Sequence, residues 1–273
     1  MNRNRALKEC VAAVYKTDTF NSLLKNTLHP GGLQLTRRVA EIAQLHTTSR
    51  VLDIACGKGG APWFLAQEYG CQVIGIDLSD KMIALARSRS KVERLNEKVK
   101  FIVADAEELP FRDTTFDAII SESSFSILPN KVKAASEMER VLRSNGRLLI
   151  TDVISRRTAS EIQSGLTLPH RVSFPLIPCI AGARSIEDYL AIFEHAGFRN
   201  PYIEDHSVEL KKLAYQMGIG FGSWGEFLQK LSSELSSASD SKESERLTNS
   251  IETYQWLLAQ GQFGYALIVA SKP

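Results

Sequence analysis

Five polar side chains stand at or just past the ends of short apolar runs: Asp53, Asp77, Asp105, Ser121 and Asp152. Carboxylates at such places suit a ligand rich in hydroxyls and amines, because each oxygen accepts hydrogen bonds from them. The first acid is followed by a loop of small residues, Ala55, Gly57, Gly59 and Gly60, and then by an amphipathic stretch over 61–69. That order reads as strand, tight turn, helix. A turn stripped of side chains lets a nucleotide-like ligand lie against main-chain N–H groups at a helix N-terminus.

Other candidates are single residues. Glu122 follows the fourth apolar run and suits a base or a counter-ion for a cationic substrate; a solvated or capping glutamate fits equally. Cys179 suits a soft ligand as a thiolate, or a small buried hydrophobe. His170 and His206 read more readily as surface or packing histidines. Tyr15, Phe174 and Trp224 suit a pocket wall or a core.

The elements that must position these residues follow from the apolar pattern. Strands are expected at Arg50–Ala55, Gln72–Asp77, Lys100–Ala104, Phe116–Ser121 and Arg147–Asp152. Each is short and rich in Val, Ile and Leu rather than strictly alternating, as befits strands covered on both faces of a parallel sheet. Helical patterns lie between them. One is capped by Ser79. Another follows Asn130 and is expected to stop near Asn145-Gly146, a helix C-terminal signal. Alternating strands and helices imply right-handed crossovers in a doubly wound α/β fold, with ligands at the carboxyl ends of the strands.

Beyond the fifth strand the pattern changes. Ser185-x-x-Asp188 resembles a capping box and opens a helix that ends at Gly197. Tyr202–Val208 and Gly264–Ala270 read as strands, with helical spacing in Leu210–Met217, Phe227–Leu235 and Leu247–Leu258. The head, from Ala6 to Leu45, also reads as helical, broken at His29-Pro30-Gly31-Gly32.

Composition bounds the reading. The chain has 273 residues, 44% hydrophobic and 23% charged, which is ordinary for a globular protein. A formal net charge of +2 gives no electrostatic reason to expect nucleic acid or an anionic membrane as partner. No apolar run approaches the ~20 residues of a membrane span, and no secretory leader is visible. The cysteines Cys10, Cys56, Cys71 and Cys179 form no C-x-x-C pair, so a cytoplasmic protein with reduced thiols is the simplest expectation.

A nicotinamide site requires G-x-G-x-x-G, with an acid about 20 residues later. Here the spacing differs, and Asp53 precedes the glycines. The segment from Asp53 to Gly59 instead resembles motif I of class I S-adenosylmethionine (SAM)-dependent methyltransferases. Gly75-Ile76-Asp77-Leu78-Ser79 resembles their second motif, where an acid grips both ribose hydroxyls. Ala104-Asp105-Ala106 resembles the third, where the Asp meets the adenine amino group and the next N–H meets the ring. Phe116–Ser121 and Val141–Ile150 are similar to the fourth-strand segment and the helix–turn–strand segment that follows it. His29-Pro30-Gly31-Gly32 resembles a loop covering the methionyl end of the cofactor.

The resemblance implies a Rossmann-like seven-stranded sheet, order 3-2-1-4-5-7-6 with strand 7 antiparallel. A helical lid comes from the N-terminus and insertions. One domain over 1–273 is expected: a cap at 1–49, a core at 50–155, lid insertions at 156–184 and 209–262, and a last strand at 264–271. It also implies a cofactor set of Asp53, Ala55, Gly57, Gly59, Asp77, Leu78, Asp105, Ala106, Ser121, Gly31 and Gly32, with S-adenosylhomocysteine (SAH) as product. The expected reaction is SN2 methyl transfer to a small molecule. The chain resembles the ubiquinone/menaquinone-biosynthesis-like and sarcosine/dimethylglycine-like small-molecule groups more than nucleic-acid methyltransferases. Cys179-Ile180-Ala181-Gly182-Ala183 also resembles a block of arsenite methyltransferases, where the cysteine binds trivalent arsenic with other thiols; Cys10 would supply the second. Glu122 and Cys179 are therefore the catalytic candidates. No resident metal, nucleic acid or membrane span is expected. A nicotinamide oxidoreductase and a non-catalytic SAM-binding protein are the alternatives.

Overall fold

A computed structural model describes residues 17, 29–93, 97–156, 178–220, 226, 230, 233, 234 and 261–273. Its elements are α1 (Gly32–Ala43), β1 (Arg50–Ile54), α2 (Gly60–Tyr69), β2 (Gln72–Asp77), α3 (Asp80–Glu93), β3 (Val99–Val103), β4 (Phe116–Glu122), α4 (Lys131–Val141), β5 (Leu142–Ser155), α5 (Pro178–Gly182), α6 (Ile186–Ala196), β6 (Arg199–Asp205), α7 (Ser207–Gly220) and β7 (Phe263–Ser271). The strands form one sheet in the order β3-β2-β1-β4-β5-β7-β6. Strands β1 to β5 pair in parallel, and β7 runs antiparallel to both β5 and β6. The expected sheet order and the reversed seventh strand are both present.

Successive strand residues feed two cores. Leu52, Ile54 and Ile119 pack with Ala134 and Met138 of α4 and with Tyr189 and Phe193 of α6. Val51, Val73, Ala118 and Ile120 pack with Val39 of α1, Trp63 and Leu65 of α2 and Ile83 of α3. Burial on both faces is why these strands read as apolar-rich runs without strict alternation. Helix starts follow the expected side-chain caps. Ser79 Oγ accepts from Met82 N–H, Asn130 Oδ1 from Lys133 N–H, and Ser185 Oγ from Asp188 N–H.

Two boundaries differ from expectation. Helix α4 ends at Val141, and Leu142 is already extended, so β5 is longer than expected. The Asn145-Gly146 signal marks an irregularity within β5: pairing with β4 jumps from Phe116–Leu142 to Ala118–Arg147. Asn145 has φ 61°, and a Cβ on Gly146 would lie 2.7 Å from Leu142. The turn chemistry is real, but it serves a strand kink rather than a helix end. Strand β6 covers Arg199–Asp205 rather than Tyr202–Val208. Asp205 Oδ1 takes the N–H of Ser207 at 2.7 Å and turns the chain into α7.

Of the expected lid, α5 and α7 are described. Most of 157–177 and 221–260, including His170, Phe174 and Trp224, lies outside the described residues, as do Cys10 and Tyr15 in the head. No described helix is long and apolar enough to cross a membrane.

Candidate functional site

A cleft opens at the carboxyl ends of β1, β2 and β4. It holds about 880 Å³, counting the solvent in its mouth. Ala55 and Gly57 line it from the glycine turn, Asp77 and Leu78 from the end of β2, Asp105 and Ala106 from beyond β3, and Glu122 from the end of β4. Seven of the residues expected from sequence to bind or act are thus brought together.

The glycine turn is built around Asp77. Its Oδ2 accepts the Gly57 N–H at 3.0 Å and its Oδ1 accepts the Ser79 N–H at 2.8 Å. One carboxylate therefore fixes the turn and the start of α3 together. Ala55 has φ 56° and Gly57 φ 54°, so the turn is left-handed at both. Gly59 acts differently from the expectation that it frees space for a ligand. It is absent from the cleft wall, and a Cβ there would lie 2.5 Å from Phe101. Its smallness lets α2 close onto the sheet.

Asp53 lies beneath the cleft, 2% exposed. Burial pushes its carboxyl well above the usual carboxylate range, and the charges of Glu122 and Asp77 push it further. Its Oδ2 has no hydrogen-bond partner among the described residues. Asp105 Oδ1 accepts the Glu107 N–H at 2.9 Å, which shapes the turn after β3. Ser121 does not reach the cleft wall. It is fully buried, with its Oγ 2.6 Å from Ser124 Oγ, whose hydroxyl in turn donates to Ile54 O.

The His29-Pro30-Gly31-Gly32 turn is brought to Glu122. Gly31 and Gly32 have φ of 80° and 51°, which folds His29 back against α1. His29 Nε2 lies 3.3 Å from Glu122 Oε2, each side chain 5% exposed. Thr36 of α1 donates to the same carboxylate, with Oγ1 3.1 Å from both oxygens. Burial raises the Glu122 carboxyl, while His29 and Thr36 oppose the rise. The two glycines themselves do not line the cleft; they place the histidine.

Cys179 sits away from this group. It packs beside Ile180, Val153 and Tyr265, and burial with the nearby Asp152 pushes its thiol up to about 12. A thiol held protonated is a poor ligand and a poor nucleophile. Among the described residues no group of three or more His, Cys, Asp or Glu could hold a metal.

Sequence reasoning missed the support behind the β4–α4 loop. Ser123, on the cleft wall with φ 54°, places its Oγ 2.7 Å from Tyr265 OH, which also donates to Thr151. Asp152 accepts the Ser126 N–H at 2.7 Å, and Lys131 Nζ donates to Ser126 O and Leu128 O. Phe125 is buried against Tyr189 and Phe193. These ties hold Ser123 to Pro129 in shape as one side of the cleft. Thr151 and Asp152, two adjacent polar residues in an otherwise apolar run, were the available signal.

Comparison with known proteins agrees with this geometry. Residues 52–150 match the family described as Methyltransferase domain. The chain is 32% identical over 170 residues to methyltransferase GfsG of Streptomyces halstedii, covering 62% of this chain and 60% of that protein. It is 31% identical over 203 residues to an uncharacterized protein of Haemophilus influenzae, covering 71% and 77%. It is 25% identical over 247 residues to 27-O-demethylrifamycin SV methyltransferase of Amycolatopsis mediterranei, covering 90% and 86%. In fold it is similar to the [4+2]-cyclase SpnF, with TM-score 0.72, 24% identity and 97% of each chain covered. It is similar also to a Haemonchus contortus phosphoethanolamine N-methyltransferase 2 in complex with SAM, with TM-score 0.72, 22% identity, and 98% and 60% covered. With the acid-ended strands, the left-handed glycine turn and the sheet order already in place, the chain belongs, over residues 52–150, to the methyltransferase-domain family.

Proposed function

We propose that this chain transfers the methyl group of SAM to a hydroxyl of an uncharged small molecule. The observation that carries the reading is the make-up of the cleft wall. Ile54, Ile76, Met82, Ile127, Leu128 and Pro129 make it largely apolar, and its charged groups are Asp77, Asp105 and Glu122. No described lysine or arginine lines it, so no cationic side chain described there would pair with a phosphate or a carboxylate substrate. A neutral hydroxyl needs a proton acceptor when it attacks, and Glu122 is a carboxylate on that wall.

The residues present fit SAM. The unpartnered Asp53 Oδ2 and the mutual repulsion of Asp53, Asp77 and Glu122 favour a cationic ligand. Asp77 would accept from the ribose hydroxyls, Asp105 from the adenine amine, and the turn from Ala55 to Gly57 would receive the methionyl end. When bound, SAM supplies an activated methyl group on a sulfonium sulfur. The chain's own part is to align the acceptor hydroxyl in line with that methyl, exclude water with the apolar wall and take the proton.

The test is turnover against a mixed panel. The chain is incubated with SAM and with neutral phenols and polyketide alcohols, phosphoethanolamine or dimethylglycine, and SAH and methylated product are measured by mass spectrometry. Product is expected only from the neutral hydroxyl acceptors. Methylation of phosphoethanolamine or dimethylglycine in their place would overturn the reading.

A further inference from the structure

His29, Thr36 and Glu122 are hydrogen-bonded so that one proton must be shared. His29 Nδ1 lies 3.1 Å from the Pro30 carbonyl oxygen. That oxygen only accepts, so Nδ1 carries a hydrogen. Nε2 faces Glu122 Oε2 at 3.3 Å and Thr36 Oγ1 at 3.4 Å. The threonine has a single proton, and its hydroxyl lies nearer to both Glu122 oxygens, at 3.1 Å. Nε2 and Oε2 would then meet lone pair to lone pair unless a proton stands between them. The resting pair is thus an imidazolium beside a carboxylate, or a neutral imidazole beside a carboxylic acid. Either way it holds one exchangeable proton away from bulk water.

The pair has a front and a back. Glu122 lines the cleft, whereas His29 stands behind it and does not. The other titratable groups facing Glu122 are Asp53 from β1 and Tyr265 from β7, and Asp77 from β2 couples to it through Asp53. Two of these neighbours are acids that favour keeping the proton. The balance therefore depends on what cation enters the cleft.

We infer that the His29–Glu122 pair is a cofactor-gated base: it gives up its shared proton when the sulfonium-bearing cofactor binds, and regains one from the acceptor hydroxyl during methyl transfer. This rests on the methyl-transfer reading above. The step balances. The acceptor O–H breaks as its O–CH3 bond forms, the electron pair of the broken C–S bond stays on sulfur, and the proton goes to the pair. Positive charge leaves sulfur as it arrives on His29–Glu122, so the net charge of the buried site is unchanged. Such a site is a strong base only while the methyl donor is in place. With SAH, which is neutral at sulfur, the pair keeps its proton.

Titration calorimetry on the full chain tests this without an acceptor. SAM and SAH are each titrated in phosphate and in Tris at the same neutral pH, and the difference in heat between buffers gives the protons released per ligand bound. The two ligands share their amino-acid and adenosine groups, so the difference between them isolates the sulfonium charge. We expect greater proton release with SAM than with SAH, and loss of that difference in His29→Gln and Glu122→Gln. Equal release by both ligands in the wild-type chain overturns the inference and leaves the methyl-transfer reading standing, whether or not the variants fold. Failure of both ligands to bind overturns the two together.

Discussion

Asp77→Asn makes the most direct demand on the cleft. Both oxygens of Asp77 are already claimed, Oδ1 by the Ser79 N–H at 2.8 Å and Oδ2 by the Gly57 N–H at 3.0 Å. Asparagine must turn its amide NH2 toward one of those two donors. A charge-assisted hydrogen bond is lost there, worth about 1.5–3 kcal/mol, and an N–H is left facing another N–H. The carboxylate has about four acceptor sites, and these two N–H groups each take one. The amide oxygen cannot serve both the backbone and the diol. The loss in SAH affinity should thus reach about 2 kcal/mol, close to 30-fold in Kd. Titration calorimetry with SAH measures it, on variant protein whose urea unfolding is cooperative. A folded Asp77→Asn protein that binds SAH within about threefold of wild type refutes the assignment of this acid to the cofactor.

Three further outcomes follow from the packing. Gly59→Ala brings a Cβ to 2.5 Å from Phe101 at φ 79°. It should cost about 1–3 kcal/mol in urea unfolding, and Phe101→Leu in the same chain should recover part of that; full additivity would exclude Phe101 as the obstacle. Asp152 is held up to about 6 by burial, against about 3.9 when unfolded. A raised carboxyl stabilises the fold fully below about pH 4, and that contribution, on the order of 2–3 kcal/mol, is lost as pH rises through about 6. Asp152→Asn should flatten this part of the stability–pH curve, and an unaltered slope across pH 4–7 counts against the burial argument. Cys179→Ala should leave SAH affinity unchanged, and Cys179 should react with a thiol reagent more slowly than an exposed cysteine; rapid labelling would contradict the raised thiol.

What the sequence discloses depends on how far apart the cooperating residues lie. Asp53 to Gly59 is a local unit, so an acid at a strand end and a left-handed turn are readable within seven positions. Asp77 and Asp105 repeat that logic at the next two strand ends, and the sheet order follows from the family resemblance that these motifs carry. The Glu122 cluster is of another kind. Thr36 is 86 positions from Glu122, and Ser123 meets Tyr265 across 142. Nothing in the periodicity of α1 or β7 says that a hydroxyl there faces the end of β4. Only closure of the sheet brings them together. Asn145-Gly146 shows the converse, a correct local signal whose meaning was set by pairing with β4. Gly59 likewise belongs to the glycine turn by spacing, but to the packing of Phe101 by its contact.

The Asp53 carboxyl, 2% exposed, with one oxygen unpartnered and two acids nearby, is a cost to the cofactor-free chain. Ligands that bind only the folded state add stability, so a cation in the cleft offsets that cost. Asp53→Asn should then separate the two effects. The neutral amide carries no charge to repel Glu122 or Asp77. The cofactor-free chain should unfold a few °C higher, on the order of 1 kcal/mol. Saturating SAM should then add less than it does to wild type, because the charge it would have compensated is gone. Scanning fluorimetry with and without SAM reads both shifts. A variant that melts lower without SAM and keeps the full SAM increment would mean that Asp53 is a structural acid, and that the affinity of this cleft for a cation rests on Asp77 and Glu122 alone.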